Sequence, residues 1–182
     1  PRRVVGSIDA LYGDRRVVCS YGSFRAKRRL RLWLWHLAAC ATDANFAGSV
    51  WIARGKGSEL KRGALARLDA EEARRLLADL VAIRDEGSRQ PLRFEPEAGW
   101  LALDAAEAPT RNGEPRTTTE LRDKVWKKTA REGEVPPDES LVQVFGLEDP
   151  FGFDSTDQVE EVPLIAWSRR VLTKLREHSE DL

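Results

Sequence analysis

The chain has 182 residues, 41% of them hydrophobic, with 30 basic side chains balanced by 30 acidic ones. That length suits one medium domain with a buried core, and no apolar run approaches the roughly 20 residues that a membrane span needs. Net neutrality hides a gradient: residues 1–62 carry 13 Lys and Arg against 4 Asp and Glu, residues 63–131 carry 13 of each, and residues 132–182 carry 4 against 13. Either an anionic partner meets the basic end, or the two ends neutralise each other in the fold. No secretory leader is visible, since Pro1-Arg2-Arg3 runs straight into a strand, and a start at Pro1 suggests a piece of something longer. Cys19 and Cys40 form no CxxC pair and join no His cluster, so structural thiols in a reducing, cytoplasmic setting are expected and no metal centre is.

In chain order, Val4 to Leu11 reads as a strand, Tyr12-Gly13-Asp14-Arg15 as a turn and Arg16 to Tyr21 as the returning strand. Leu30, Trp33, Leu34, Leu37 and Cys40 recur at helical spacing and predict a helix from Arg25 to Cys40. Ser49 to Ala53 is rich in β-formers and reads as a third strand, followed by a polar connector over 54–63. Asp69 with Glu72 three residues on resembles a capping box, opening a helix that Gly87 ends. Residues 91–94 suggest an edge strand and 96–114 irregular chain. Thr117 to Glu120 starts a helix reaching about Arg131, with few core positions. A Pro-rich acidic loop at 133–138, a short amphipathic segment at 139–145, a loop at 150–157 and a last helix over 160–178 complete the chain. This order predicts an α/β fold, a small mixed central sheet flanked by helices, in a single domain over 1–182 whose 132–182 part is acidic and helical.

The opening hairpin resembles that of PD-(D/E)xK nucleases, the restriction-endonuclease-like fold. Those enzymes place an Asp on the first strand and a carboxylate-x-Lys on the second, which hold a hard metal ion and orient the attacking water. Asp9 stands where the first carboxylate belongs. The second strand offers Cys19 and Tyr21, or Val18 and Ser20 in the other register, and neither pair supplies a carboxylate or a Lys. Asp9, Cys19 and Tyr21 are therefore read as vestigial positions, with no catalytic and no metal-ligating residue. One carboxylate-x-Lys does occur, Glu59-Leu60-Lys61, in the connector. An active metal-dependent DNase using Asp9, Glu59 and Lys61 is the alternative.

Further on, Leu30-Arg31-Leu32-Trp33-Leu34-Trp35-His36-Leu37 resembles a segment of the RecC family, the gamma chain of bacterial exodeoxyribonuclease V. Val50 to Ala53, Glu71 to Leu77, Pro91 to Phe94, Gly99-Trp100-Leu101, Trp126-Lys127-Lys128 and Gly133-Glu134 follow in the same order. The resemblance implies a C-terminal nuclease-like domain without an active site, serving as a scaffold in double-strand break processing. It implies RecB and RecD as partner subunits, forked or single-stranded DNA as the substrate of the assembly, and Mg²⁺ and ATP used by the partners with no cofactor in this domain.

Arg25, Lys27, Arg28, Arg29 and Arg31 crowd the start of a helix, the end where the dipole favours anions. Phosphate oxygens or acidic side chains would relieve that mismatch, as would solvent or pairing within the fold. Trp35 shares a face with Arg28 and Arg31 and is a candidate for stacking on a guanidinium, on a nucleobase or in a subunit interface.

Overall fold

The computed structural model describes residues 4–55, 57, 59–108, 110, 112–131, 139–146 and 148–181, so the acidic loop expected at 133–138 lies outside the described residues. Two compact units emerge, Pro1–Ala82 with Leu175–Leu182, and Ile83–Lys174.

In the first unit, β1 (Leu11–Tyr12), β2 (Arg15–Ser20), β3 (Gly48–Arg54), β4 (Leu60–Ala66) and β5 (Ser179–Asp181) lie in one sheet in that order. β2 and β3 are parallel and connected through α1 (Ala26–Thr42), while the other neighbours are antiparallel. The sheet is mixed and flanked by helices, as expected of the α/β pattern. A parallel pair requires a crossover, and α1 supplies it.

The first arm of the hairpin is shorter than the sequence suggests. Only Leu11 and Tyr12 pair with β2, and residues 4–10 are not strand. Ala10 sits at φ 57, in the left-handed region that non-glycine residues rarely occupy, and there the chain turns away from the ladder. One bond survives beyond β1, from the Val17 N–H to the Ala10 carbonyl at 3.0 Å.

Parallel register sets Arg16, Val18 and Ser20 beside Ser49, Trp51 and Ala53. This face meets α1, whose Leu32, Trp33, His36, Leu37 and Cys40 are buried. Burial of each such large apolar side chain stabilises by roughly 2–3 kcal/mol. Alternate positions on the other face are more open: Ile52 and Leu60 are exposed and Val50 and Ala64 half-buried.

β4 occupies the stretch expected to be a polar connector. Leu-Lys-Arg-Gly-Ala-Leu-Ala carries few β-formers, but pairing with β3 along its whole length overrides that weak propensity. Its glycine is spatial rather than flexible. A Cβ on Gly63 would stand 2.6 Å from both the Glu180 carbonyl and the Trp51 ring, so only glycine lets Trp51 lie under the ladder. α2 (Ala70–Gly87) begins as the sequence indicates, with Asp69 Oδ1 accepting from the N–H of Glu71 at 2.8 Å and of Glu72 at 3.4 Å. Those two N–H groups hold the Asp69 carboxyl below its ordinary range.

The second unit contains α3 (Pro96–Glu107), α4 (Thr118–Arg131), α5 (Glu139–Phe145), most of α6 (Pro163–His178) and two short 3-10 turns at Phe153–Ser155 and Val159–Glu161. α3 corrects the expectation of irregular chain over 96–114. Glu95 caps it by accepting from the Ala98 N–H at 2.7 Å, and Pro96 fits a first turn that needs no N–H. Gly99 faces α6 so closely that a Cβ there would collide with Ser168 Oγ. Pro91 to Phe94 forms no strand. Arg93 instead stacks over the Phe145 ring at 4.2 Å and donates to the Asp149 carbonyl at 2.5 Å. α4 opens on a complete capping box, in which Thr117 Oγ1 accepts from the Glu120 N–H at 3.3 Å and Glu120 Oε2 from the Thr117 N–H at 2.9 Å.

Candidate functional site

Asp9 lies just before the hairpin and does not stand free. Arg16, first inward residue of β2, donates from Nη2 to Asp9 Oδ1 at 2.9 Å and from Nε to the Asp9 carbonyl at 3.1 Å. The Arg16 side chain is 7% exposed and that of Asp9 is 79%, so the cation is fixed by the fold and the carboxylate reaches in from solvent. Arg16's hydrogen bond and charge hold the Asp9 carboxyl below its ordinary range, with a lesser contribution from Arg31. A fixed guanidinium thus occupies one of the two carboxylate oxygens, Oδ1.

The other two hairpin positions singled out with Asp9 diverge. Cys19 is exposed on β2, on the side opposite Arg16, and Tyr21 lies past the end of the strand with 92% of its surface exposed. Neither touches Asp9 through a hydrogen bond among the described residues. Glu59 and Lys61 stand elsewhere. Asp9 bonds to Arg16, the partner of Ser49 in β3, whereas Glu59 abuts Leu60, the partner of Arg54. Five residues of β3 separate those levels, roughly 16 Å along the strand at about 3.3 Å each.

The basic start of α1 is arranged in two ways. Arg29 lies over the Trp51 ring at 4.8 Å, on a Trp51 that also stacks on Phe24 at 4.6 Å, and its Nε donates to the Phe24 carbonyl at 3.3 Å. It belongs to the packing of the unit. Arg25 Nε donates to Ser23 Oγ at 3.1 Å, and Arg28 donates to Ser20 Oγ and to the Ser23 carbonyl, so both brace the 20–23 bend. Lys27, Arg28 and Arg31 are exposed, Arg25 and Arg29 half-buried. Trp35 turns toward the hairpin: the Arg16 guanidinium carbon lies 6.0 Å from its ring centroid, and a Cβ on Gly6 would contact it at 3.6 Å.

Arg16 was absent from the residues singled out in the sequence. The signal that could have found it is a basic residue just after the turn, within side-chain reach of the carboxylate before it. His36 is the second surprise. It is fully buried, with Nδ1 3.1 Å from Ser49 Oγ and Nε2 3.5 Å from Cys40 Sγ, and it stacks on Trp33. Burial pushes its pKa down to about 4, against a smaller opposing effect of the Ala66 backbone, and burial likewise pushes the Cys40 thiol up. Among the described residues no three His, Cys, Asp or Glu side chains gather as metal ligands do.

Comparison with known proteins bears on the same stretch. The family model of the RecC C-terminal domain matches residues 1–107. The RecBCD enzyme subunit RecC of Mycolicibacterium smegmatis (strain ATCC 700084 / mc(2)155) is 35% identical over 108 residues, which is 57% of this chain and 10% of that protein. The chain therefore spans about a tenth of the relative's length. The matched residues include β1 to β4 and α1 to α3, and with them the Asp9–Arg16 corner and the basic start of α1; the chain belongs to the RecC C-terminal domain family.

Proposed function

We propose that this domain is a non-catalytic, nuclease-like scaffold in a RecBCD-type helicase–nuclease that processes double-strand breaks for recombinational repair. The observation that carries the reading is the Asp9–Arg16 pair. The one carboxylate at the position of a nuclease's first ligand already accepts from a buried guanidinium. Cys19 and Tyr21, on the following strand and just beyond it, carry neither the anionic oxygens a hard ion requires nor a lysine. β2, α1 and a parallel β3 follow the strand–helix–strand order of a PD-(D/E)xK core, which supports an inherited nuclease shape without its chemistry. The partners would be the RecB and RecD subunits, in a cytoplasmic heterotrimer, and the substrate of the assembly forked or single-stranded DNA. Mg²⁺ and ATP would be used by those partners, with no cofactor in this domain.

The test is cleavage of linear and forked DNA by the purified protein in Mg²⁺ or Mn²⁺, with Asp9→Ala as the control. The expected result is no cleavage by either form. Metal-dependent cutting that Asp9→Ala abolishes would restore the DNase reading.

A further inference from the structure

Among the described residues, β2 has no partner on its outer side past Val17. β1 ends level with Arg16, and the last bond across that edge is the one to the Ala10 carbonyl. Backbone donors of a strand alternate sides, so the Cys19 N–H points the same way as that of Val17, into the gap. The gap is a cleft of about 440 Å³ bordered by Asp9, Arg16, Ser20, Tyr21, Arg28 and Arg31. Its charged lining is one carboxylate against three guanidinium groups, and the carboxylate is matched by Arg16. The Arg31 side chain makes no hydrogen bond among the described residues, though its charge reaches Asp9, and the Arg28 side chain bonds only to neutral oxygens. At the mouth, the ring of Tyr21 is 92% exposed.

We infer that this cleft is a metal-independent subsite for a single nucleic-acid strand, with a backbone phosphate between Arg28 and Arg31 and a base stacked on Tyr21. It rests on the reading of the domain as non-catalytic, since a strand seated here would meet no metal. The guanidinium excess selects an anion, and guanidinium forks match phosphate oxygens. The aromatic face selects a strand with unpaired bases, because a duplex keeps its bases stacked inside and offers none to a flat ring. Arg16 sets the floor of the cleft and its charge offsets that of Asp9 on the cleft border, which leaves the excess positive charge on the side of Arg28 and Arg31. An acidic segment of a protein partner would use the guanidinium groups without any need for the exposed ring.

The experiment uses the full-length protein that carries this sequence, in EDTA, with fluorescently labelled oligo-dT and a duplex of equal length. Variants are Tyr21→Ala and the double change Arg28→Ala with Arg31→Ala, all at exposed side chains, with melting curves to confirm folding. Tyr21→Ala should weaken oligo-dT binding by about fivefold or more and leave the duplex unchanged, as expected for one lost stacking contact. The double change should lower the dependence of log affinity on log salt by about 0.7 for each lost phosphate contact. An oligonucleotide carrying 5-iododeoxyuridine should cross-link to the peptide that contains Tyr21. Cross-linking elsewhere only, or unchanged binding in both variants, would overturn the inference. So would loss of assembly with partner subunits while oligo-dT binding stays intact, which would mark the cleft as a protein interface. Cleavage in Mg²⁺ reads out the non-catalytic proposal separately, so the two can fail independently.

Discussion

Two polar clusters flank the same helix and look alike on paper. Asp9, Arg16 and Trp35 meet at the hairpin, and His36, Ser49 and Cys40 meet between α1 and β3. The first reaches solvent through an exposed carboxylate, whereas His36, Ser49 and Cys40 are all buried. A Ser, His and Cys at hydrogen-bonding distances suggest a nucleophile only until access is considered. Here the imidazole is wedged between Trp33 and Phe46 and satisfies its neighbours' polar atoms. Polar residue types grouped in space therefore do not define a reactive site. Exposure separates a cluster that can meet a ligand from one that stabilises a core.

The sharpest way to break this comparison is to remove His36. His36→Ala would leave a cavity and strand the Ser49 hydroxyl, at a cost of about 3–4 kcal/mol, read as a fall in the denaturant midpoint. A loss below about 1 kcal/mol would mean that the cluster is not structural. Next in size is acid sensitivity. His36 titrates at about 4 in the fold, against an ordinary value of 6.5. The unfolded chain thus binds the extra proton first, so stability is full above pH 6.5 and falls as pH drops toward 4. The loss is about 2–3 kcal/mol in stability against pH, and His36→Gln should flatten that window. Smallest is Asp9→Asn. Because the Asp9 carboxyl is held below its ordinary 3.8, its contribution is present above that pH and lost only as pH falls through the lowered value. Melting curves of Asp9→Asn should therefore match the parent in the His36 window more closely than those of His36→Gln, and any difference at neutral pH should be small, because the amide oxygen can still accept from Arg16.

What could be read in advance follows the strength of local signals. α1, the Asp69 cap of α2 and the Thr117–Glu120 box of α4 are written in residues within one or two turns of each other, and they form where expected. The hidden elements depend on distant partners. β4 is a strand because β3 and β5 hold it, and Gly63, a breaker by propensity, is there for the Trp51 ring. α3 escaped notice because its buried face is mostly small, Ala98, Gly99, Ala102 and Ala105 with the single large residue Leu103, and so yields little hydrophobic periodicity. Asp9 stood out in the hairpin pattern. Its capture by Arg16 did not, because the strand around Asp9 gives way to a turn at Ala10 that brings the two together.

The last strand carries one more consequence, for the order in which the chain can fold. β5 completes the first unit, yet residues 83–174, the entire second unit, come between it and the other four strands. On the ribosome, β4 is therefore made long before its outer neighbour exists, with an open edge and Gly63 at its middle. An unpaired edge is a template for other strands. Until Ser179 emerges, the growing chain must keep that edge from foreign partners, and a chain interrupted anywhere in 83–178 would display it permanently.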